Sequence, residues 1–353
     1  DAEYRGKDGP LLVEDYRTIL PLTHAFIEAA QQAGIPFTSD YNGAVQEGVG
    51  YSQMTRNGRF RGSTARTFLS SARGRANLRI ETGAIATRLL FDGKRCVGVA
   101  FRQGGREHEA RAAREVILSG GSVASPQLLQ ISGIGPAEHL KSIGAEMVAD
   151  LPGVGANLSD HYAVRISHRV TDLVSINELS RGPRLVGEVA RWLTVGNGAL
   201  TFGVTSASAF CRSRDGLASP DLQLLFTPAS YDQNRFGALE RLPGMTVAVC
   251  AVRPESRGTI MAKSGDPLEY PSIKPNYLSA PNDLAVLYAG FGQVRRIYAQ
   301  SALAKHSGGE TLPGQQVRTE SEFADFARRA GTSLYHPVGT CKMGDDPMAV
   351  VDA

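Results

Sequence analysis

A chain of 353 residues, 42% hydrophobic and 21% charged, has room for two domains and a sizeable core. Its net charge of +3 is mild and no five like charges run together, which excludes a nucleic-acid footprint. The longest uncharged run, residues 116–137, is interrupted by glycine, proline and glutamine, so no integral membrane segment is expected.

In chain order, a polar start leads to Leu11-Leu12-Val13 after Gly9-Pro10, which reads as an edge strand. Residues 18–34 form an amphipathic helix: Leu22, Phe26, Ala29, Ala30 and Ala33 share a side, and Gly34 stands where a stop belongs. Asp40-Tyr41-Asn42-Gly43 is a turn cluster. Residues 51–55 alternate as a strand, Asn57-Gly58 signals a hairpin, and 63–72 returns to helix. Residues 78–82, 84–90 and 96–101 read as strands, with Asp92-Gly93 turning the chain, so 77–119 is expected to hold a β-meander.

Residues 115–135 carry the strongest local pattern. Val116-Ile117-Leu118 reads as a short buried strand, Gly120-Gly121 as a tight turn, and Ser125-Pro126 as the opening of a helix with Leu128, Leu129 and Ile131 inside. Strand, glycine turn and helix is how α/β proteins present backbone N–H groups to a ligand. The loop 151–155 reads as a domain crossing. Beyond residue 162, strand-like segments (163–170, 207–210, 222–226, 245–252, 258–262) predict a second domain on a mostly antiparallel sheet, followed by helices at 283–299 and 321–330, the latter capped by Ser321.

Several chemistries fail on their own motifs. Gly120-Gly121-Ser122-Val123-Ala124 lacks the last glycine of a nucleophile elbow. No P-loop, H-E-x-x-H or complete G-x-G-x-x-G is present. Cys96, Cys211, Cys250 and Cys341 stand far apart without a C-x-x-C, so no metal site and no disulfide framework is expected, and a reducing compartment fits. Of seven histidines, His336 stands out, in Tyr335-His336-Pro337-Val338-Gly339, because the following proline holds it extended outside any helix. It reads either as a general base or as a packed histidine with one satisfied nitrogen. His161, after Asn157 and Asp160, reads as a structural hydrogen-bonding residue at a domain border ahead of a catalytic one, and the other five as surface or structural histidines.

Longer stretches carry a resemblance. Residues 121–135 match the second sequence pattern of the glucose-methanol-choline (GMC) oxidoreductases, and Asp40-Tyr41-Asn42-Gly43 with 46–51, the PGVG-A-NLSDH of 151–161, Arg253 to Gly258, and Tyr335 to Cys341 resemble further segments of that family. The chain resembles its choline dehydrogenase-like branch. The fold so implied is mixed α/β, a partial Rossmann-like FAD-binding domain plus a substrate domain built on a mostly antiparallel sheet with helices. The implied division is 1–75 substrate-domain strands and connecting helices, 76–158 part of the FAD-binding domain, 159–330 substrate-binding domain, and 331–353 the catalytic histidine segment with the start of the chain's return to the FAD domain. Asp1 is not Met and the last residues read as a new strand, so an internal piece of a longer protein is expected, lacking the N-terminal FAD fingerprint and a second catalytic His or Asn, and by itself binding FAD weakly or not at all, with little activity.

The resemblance further implies oxidation of an alcohol to an aldehyde or ketone, with hydride passing to flavin N5. His336 falls at the catalytic base, Ala86 at the adenine contact, and Ser119, Gly120 and Gly121 at the flavin-proximal turn. The implied partners are a small-molecule alcohol and an electron acceptor, whether a quinone, a carrier protein or oxygen. No metal is implied, and the placement is cytoplasmic or peripheral to the inner membrane. An oxygen-using oxidase and a hydroxynitrile lyase-like enzyme on the same fold are the alternatives. For a quaternary ammonium substrate, Trp192, Phe202, Phe226 and Tyr231 are the aromatic residues available to a cage.

Overall fold

The periodic apolar residues after position 20 fold as the helix Pro21–Gln32, with proline at its first position, where no N–H is needed. Leu22, Phe26, Ala29 and Ala30 are buried along it, and Gly34 ends the turn at φ +94°. The structure, a computed structural model, describes residues 3–235 and 237–353; residues 1, 2 and 236 lie outside that description. The chain divides into two units. One holds residues 1–78, 162–253 and 284–332, the other 79–161, 254–283 and 333–353.

The first unit is built on an antiparallel sheet. Six of its strands lie in the order Ser307–Leu312, Tyr162–Val170, Gly244–Ala251, Leu222–Thr227, Ala207–Cys211, Gly48–Tyr51. Gly244–Ala251 is buried at every residue, which is why its sequence is a continuous apolar run rather than an alternation. The helix Pro21–Gln32 stacks Phe26 on Phe226 of the sheet, with ring centroids 4.4 Å apart and planes 7° from parallel. Truncating either ring to alanine costs about 3–5 kcal/mol in cores of this kind. The helix Pro281–Tyr298 buries Leu287, Phe291, Val294 and Ile297. Gly290 makes its approach possible, since a Cβ there would stand 2.4 Å from Val249 Cγ1 and 2.9 Å from Leu222 Cδ2.

The second unit carries the meander Ala84–Asp92, Arg95–Gln103, Arg106–Arg111, whose outer strand is exposed throughout. The helix Gly121–Ile131 follows, then the short parallel pair Ile134–Gly135 and Ala149–Asp150. Gln130 ties this unit together. Fully buried, it donates from Nε2 to the carbonyls of Val154 and Ile260, both at 3.2 Å, and accepts from the Ala262 N–H at 2.6 Å. One amide thus joins a helix, a loop and a strand, each bond removing a buried orphan group.

Six local expectations are corrected. No strand forms at 116–118, and Ile117 is 79% exposed; a short apolar run becomes a strand only where a neighbour pairs with it. Residues 78–82 are likewise exposed and irregular, with Thr82 O held by the Gln103 side chain instead of a strand. The helix expected to open at Ser125-Pro126 begins at Gly121, so Pro126 lies inside it. The cap of the last helix, Glu320–Ala330, is Thr319, which forms a reciprocal box with Glu322; Ser321 is already helical. The early edge strand sits at Val13–Asp15, shifted two residues. The strand near 258–262, Thr259–Met261, pairs with Ser272–Lys274 and is not a member of the large sheet.

Candidate functional site

His336 sits in a segment whose shape is imposed by its neighbours. The Leu334 N–H donates to His161 O at 2.8 Å, and Ser159 and Val338 exchange both backbone bonds at 2.8 and 2.9 Å. Residues 159–161 therefore run antiparallel to 334–338, with His336 in the middle. Tyr335 takes φ +63°, a left-handed conformation that costs a bulky residue energy, and its N–H donates to Ser333 Oγ at 2.7 Å. The Asp160 carboxylate, 9% exposed, gathers the rest. It accepts the His336 N–H at 2.9 Å on Oδ1, and on Oδ2 the Ser333 hydroxyl at 2.6 Å together with the Tyr277 hydroxyl. Hydrogen bonds to a carboxylate are short and strong, so this side chain fixes the backbone of His336.

The far side of the same segment is fastened to the start of the helix Gly121–Ile131. Ser122 Oγ donates to Pro337 O, and Thr340 Oγ1 donates to Ser122 O at 2.6 Å. The second bond follows from Pro126. A helical residue at 126 would bond the carbonyl of residue 122, but proline has no N–H and its ring crowds that oxygen. Ser122 O is thereby released, and Thr340, 1% exposed, takes it. Gly339 (φ +92°) completes the turn, because a Cβ there would fall 2.5 Å from Asn157 O. Asn157 also donates from Nδ2 to Gly339 O at 3.2 Å.

With its backbone fixed on both sides, the His336 ring is exposed and meets the His161 ring at like atoms. Nδ1 of His336 lies 3.2 Å from Nδ1 of His161, with ring centroids 5.4 Å apart and planes at 71°. An exposed imidazole held this firmly is equipped for proton transfer. Cys341 is no rival nucleophile, because burial raises its thiol pKa.

Ser119, Gly120 and Gly121 are all exposed at that helix start. Gly121 takes φ +76°, and among the described residues nothing lies within 4 Å of where its Cβ would be and no side chain caps the first turn. Open space before uncapped N–H donors suits an electron-rich group such as a flavin carbonyl or a phosphate. Ala86 lies exposed on Ala84–Asp92, next to a bulge that leaves Thr87 unopposed between Ala86↔Phe101 and Arg88↔Ala100. A bulge of this kind locally disrupts the ladder. The structure thus fastens the His336 segment to the glycine turn, while the strand that carries Ala86 is bonded to the same helix elsewhere. The bond from its strand to the helix, Leu89 N–H to Ser132 Oγ, is at the helix's other end, about 18 Å along the axis from Gly120.

Sequence reasoning missed Ser122, Asp160, Tyr277 and Thr340, and put a structural place for His161 ahead of a catalytic one. The adjacency of Asp160 and His161 was the available signal. The aromatic cage candidates pack separately within the first unit: Trp192 edge-on to Phe60, Phe202 near Tyr16, and Phe226 in the core. His24 bonds Tyr51 Oη, His306 pairs with Asp172, and His108 stacks on Phe101. Among the described residues no group of three or more His, Cys, Asp or Glu could hold a metal ion, and no helix is long and apolar enough to cross a membrane.

Residues 2–163 and 254–353 match the two models of the GMC oxidoreductase family. The chain is 40% identical over 354 residues to the mitochondrial choline dehydrogenase of Homo sapiens, covering 99% of this chain and 59% of that protein. It is 42% identical over 357 residues to an oxygen-dependent choline dehydrogenase of Pseudomonas putida, covering 99% and 62%. Its fold superposes on pyridoxine 4-oxidase from Mesorbium loti with a TM-score of 0.85 and 27% identity, over 99% of this chain and 65% of that one. The chain thus spans about three fifths of the length of these relatives. Both family models bracket the glycine turn and the histidine segment described above, and the identity holds along nearly the whole chain: it belongs to the GMC oxidoreductase family.

Proposed function

We propose that the protein to which this chain belongs is an FAD-dependent oxidoreductase that oxidises a CH–OH donor to an aldehyde or ketone, with His336 as its general base. The observation that carries the reading is the fastening of the His336 segment onto the open start of the glycine helix through Ser122 and Thr340. The backbone of Ser119, Gly120 and Gly121 would hold the flavin side of FAD, and the backbone at Ala86 its adenine. FAD, when bound there, supplies the acceptor for the hydride that leaves the carbinol carbon. His336 takes the hydroxyl proton, so that the oxygen's electron pair can form the carbonyl as hydride departs. Asp160 keeps the imidazole in place, while Ser122 and Thr340 prevent the segment from swinging off the helix.

The names of the relatives, two choline dehydrogenases and a pyridoxine 4-oxidase, support an alcohol donor. Oxygen as the electron acceptor is the second reading, favoured by the oxygen-dependent Pseudomonas relative; a quinone or carrier protein is the other acceptor class. The test is anaerobic addition of alcohols to the whole, flavin-loaded protein. Bleaching of the flavin by a substrate is expected, and His336→Ala should lower turnover by about 10²–10⁴-fold with flavin content unchanged. Product formation without flavin reduction would point instead to lyase chemistry, and undiminished turnover of His336→Ala would remove this base.

A further inference from the structure

His161 and His336 meet through like atoms, and this limits which hydrogens the two rings can carry. A neutral imidazole has one N–H and one lone pair. An Nδ1···Nδ1 contact of 3.2 Å places a single hydrogen between the two nitrogens, so one ring donates and the other accepts. If His161 donates, the lone pair of His336 is occupied at Nδ1 and its hydrogen is on Nε2, which leaves no free lone pair to take a proton. If His336 donates, its Nε2 lone pair is free.

We propose that His161 is a positioning residue that accepts the hydrogen bond from His336 Nδ1–H and so holds His336 in the tautomer whose Nε2 is basic. The proposal rests on the reading of His336 as the base. In the step it serves, the substrate O–H bond breaks, an N–H bond forms at His336 Nε2, and the Nδ1–H stays in place. The imidazolium so formed still donates to a neutral His161, now in a charge-assisted bond, so the contact strengthens as charge develops.

Three features of the structure make this more than a chance meeting of two side chains. The rings come from backbone stretches already paired, through Leu334 N–H to His161 O at 2.8 Å and through Ser159 with Val338. The residue next to His161, Asp160, holds the His336 N–H at 2.9 Å, so one dipeptide fixes both the main chain and the ring of the base. The carboxylate of Asp160 is engaged by that N–H, by Ser333 and by Tyr277, which leaves the ring contact to His161. A carboxylate at the ring would hold a permanent charge on His336; a neutral imidazole supports the charge only once the proton has arrived.

The experiment uses the whole flavin-loaded protein. ¹⁵N-histidine NMR of the resting enzyme, with the His336 signal assigned from its loss in His336→Gln, is expected to show the Nδ1–H tautomer. His161→Leu should lose that signature and lower kcat roughly 10–100-fold, the worth of a hydrogen bond to a charged group, with KM and flavin content little changed. His161→Asn should recover most of the loss, because its Oδ1 can accept where Nδ1 did. A resting His336 in the Nε2–H form would overturn the proposal, as would wild-type turnover in His161→Leu or equal impairment of the Leu and Asn variants. The NMR result needs no variant at position 161 to fold. It also separates this idea from the base assignment, which fails independently if His336→Ala turns over normally.

Discussion

Thr340→Val keeps the shape of a side chain that is 1% exposed and deletes one donor, the hydroxyl that serves Ser122 O at 2.6 Å. The carbonyl left behind has no intrahelical replacement, since position 126 is proline. An orphaned buried acceptor costs about 1–3 kcal/mol, and because Ser122 is half-buried the expected loss of stability lies toward the low end of that range. The origin of the loss is what makes the prediction specific. In Thr340→Val/Pro126→Ala, the backbone N–H gained at position 126 is four residues along the helix from the orphan and can bond it, so most of the lost stability should return. Pro126→Ala alone should be close to neutral, because Ser122 O already has a partner. Urea unfolding of the four proteins in this double-mutant cycle measures the coupling. A Thr340→Val variant within about 0.5 kcal/mol of wild type, the range of a substitution that touches nothing of structural weight, would refute the reasoning. So would a double variant whose loss is the sum of the two single ones.

Two further outcomes follow from buried polar groups. Gln130→Leu removes the acceptor of Ala262 N–H and the donor to two carbonyls, and should cost at least about 1–3 kcal/mol in the same urea assay; unchanged stability would mean that those groups find other partners. His168 is stacked on Tyr298 at 3.7 Å, and burial lowers its pKa from the ordinary 6.5 to about 4, with nearby Arg295 adding to the shift and Glu310 opposing it. The folded chain then binds fewer protons than the unfolded one between those two values, so stability present above pH 6.5 declines as the pH falls to about 4, by about 3 kcal/mol in all. His168→Gln should flatten that part of the stability-versus-pH curve, and an unaltered slope would assign the acid sensitivity to other groups.

How much could be read from the sequence depended on where each residue's partners lie. The helix Pro21–Gln32 and the strands Leu222–Thr227 and Gly244–Ala251 were legible because burial on one face, or on both, is written into nearby residues. His336 drew attention for a similar reason, the adjoining proline biasing its backbone toward the extended region. Val116-Ile117-Leu118 misled because apolar character says nothing of whether a neighbouring strand is at hand. Ser125-Pro126 misled because a proline early in a helix is compatible with two starts. The choice of the earlier one depends on Thr340, 214 positions from Pro126 in the chain, relieving the carbonyl that proline displaces. The Asp160 network and the pairing of His161 with His336 join residues more than 100 positions apart, and no local pattern announces such bonds.

The left-handed turn at Tyr335 carries a lesson for anyone who would borrow this site. A tyrosine at φ +63° does not hold that shape by preference, and the octapeptide around His336, cut out and placed elsewhere, would relax to an ordinary extended chain. Its conformation is stored in the pieces that grip it, the dipeptide at 160–161 and the opening turn of the glycine helix. Transplanting the histidine into another scaffold therefore means moving three separate stretches of chain as a single part, with the histidine itself the easiest of them to copy and the least informative.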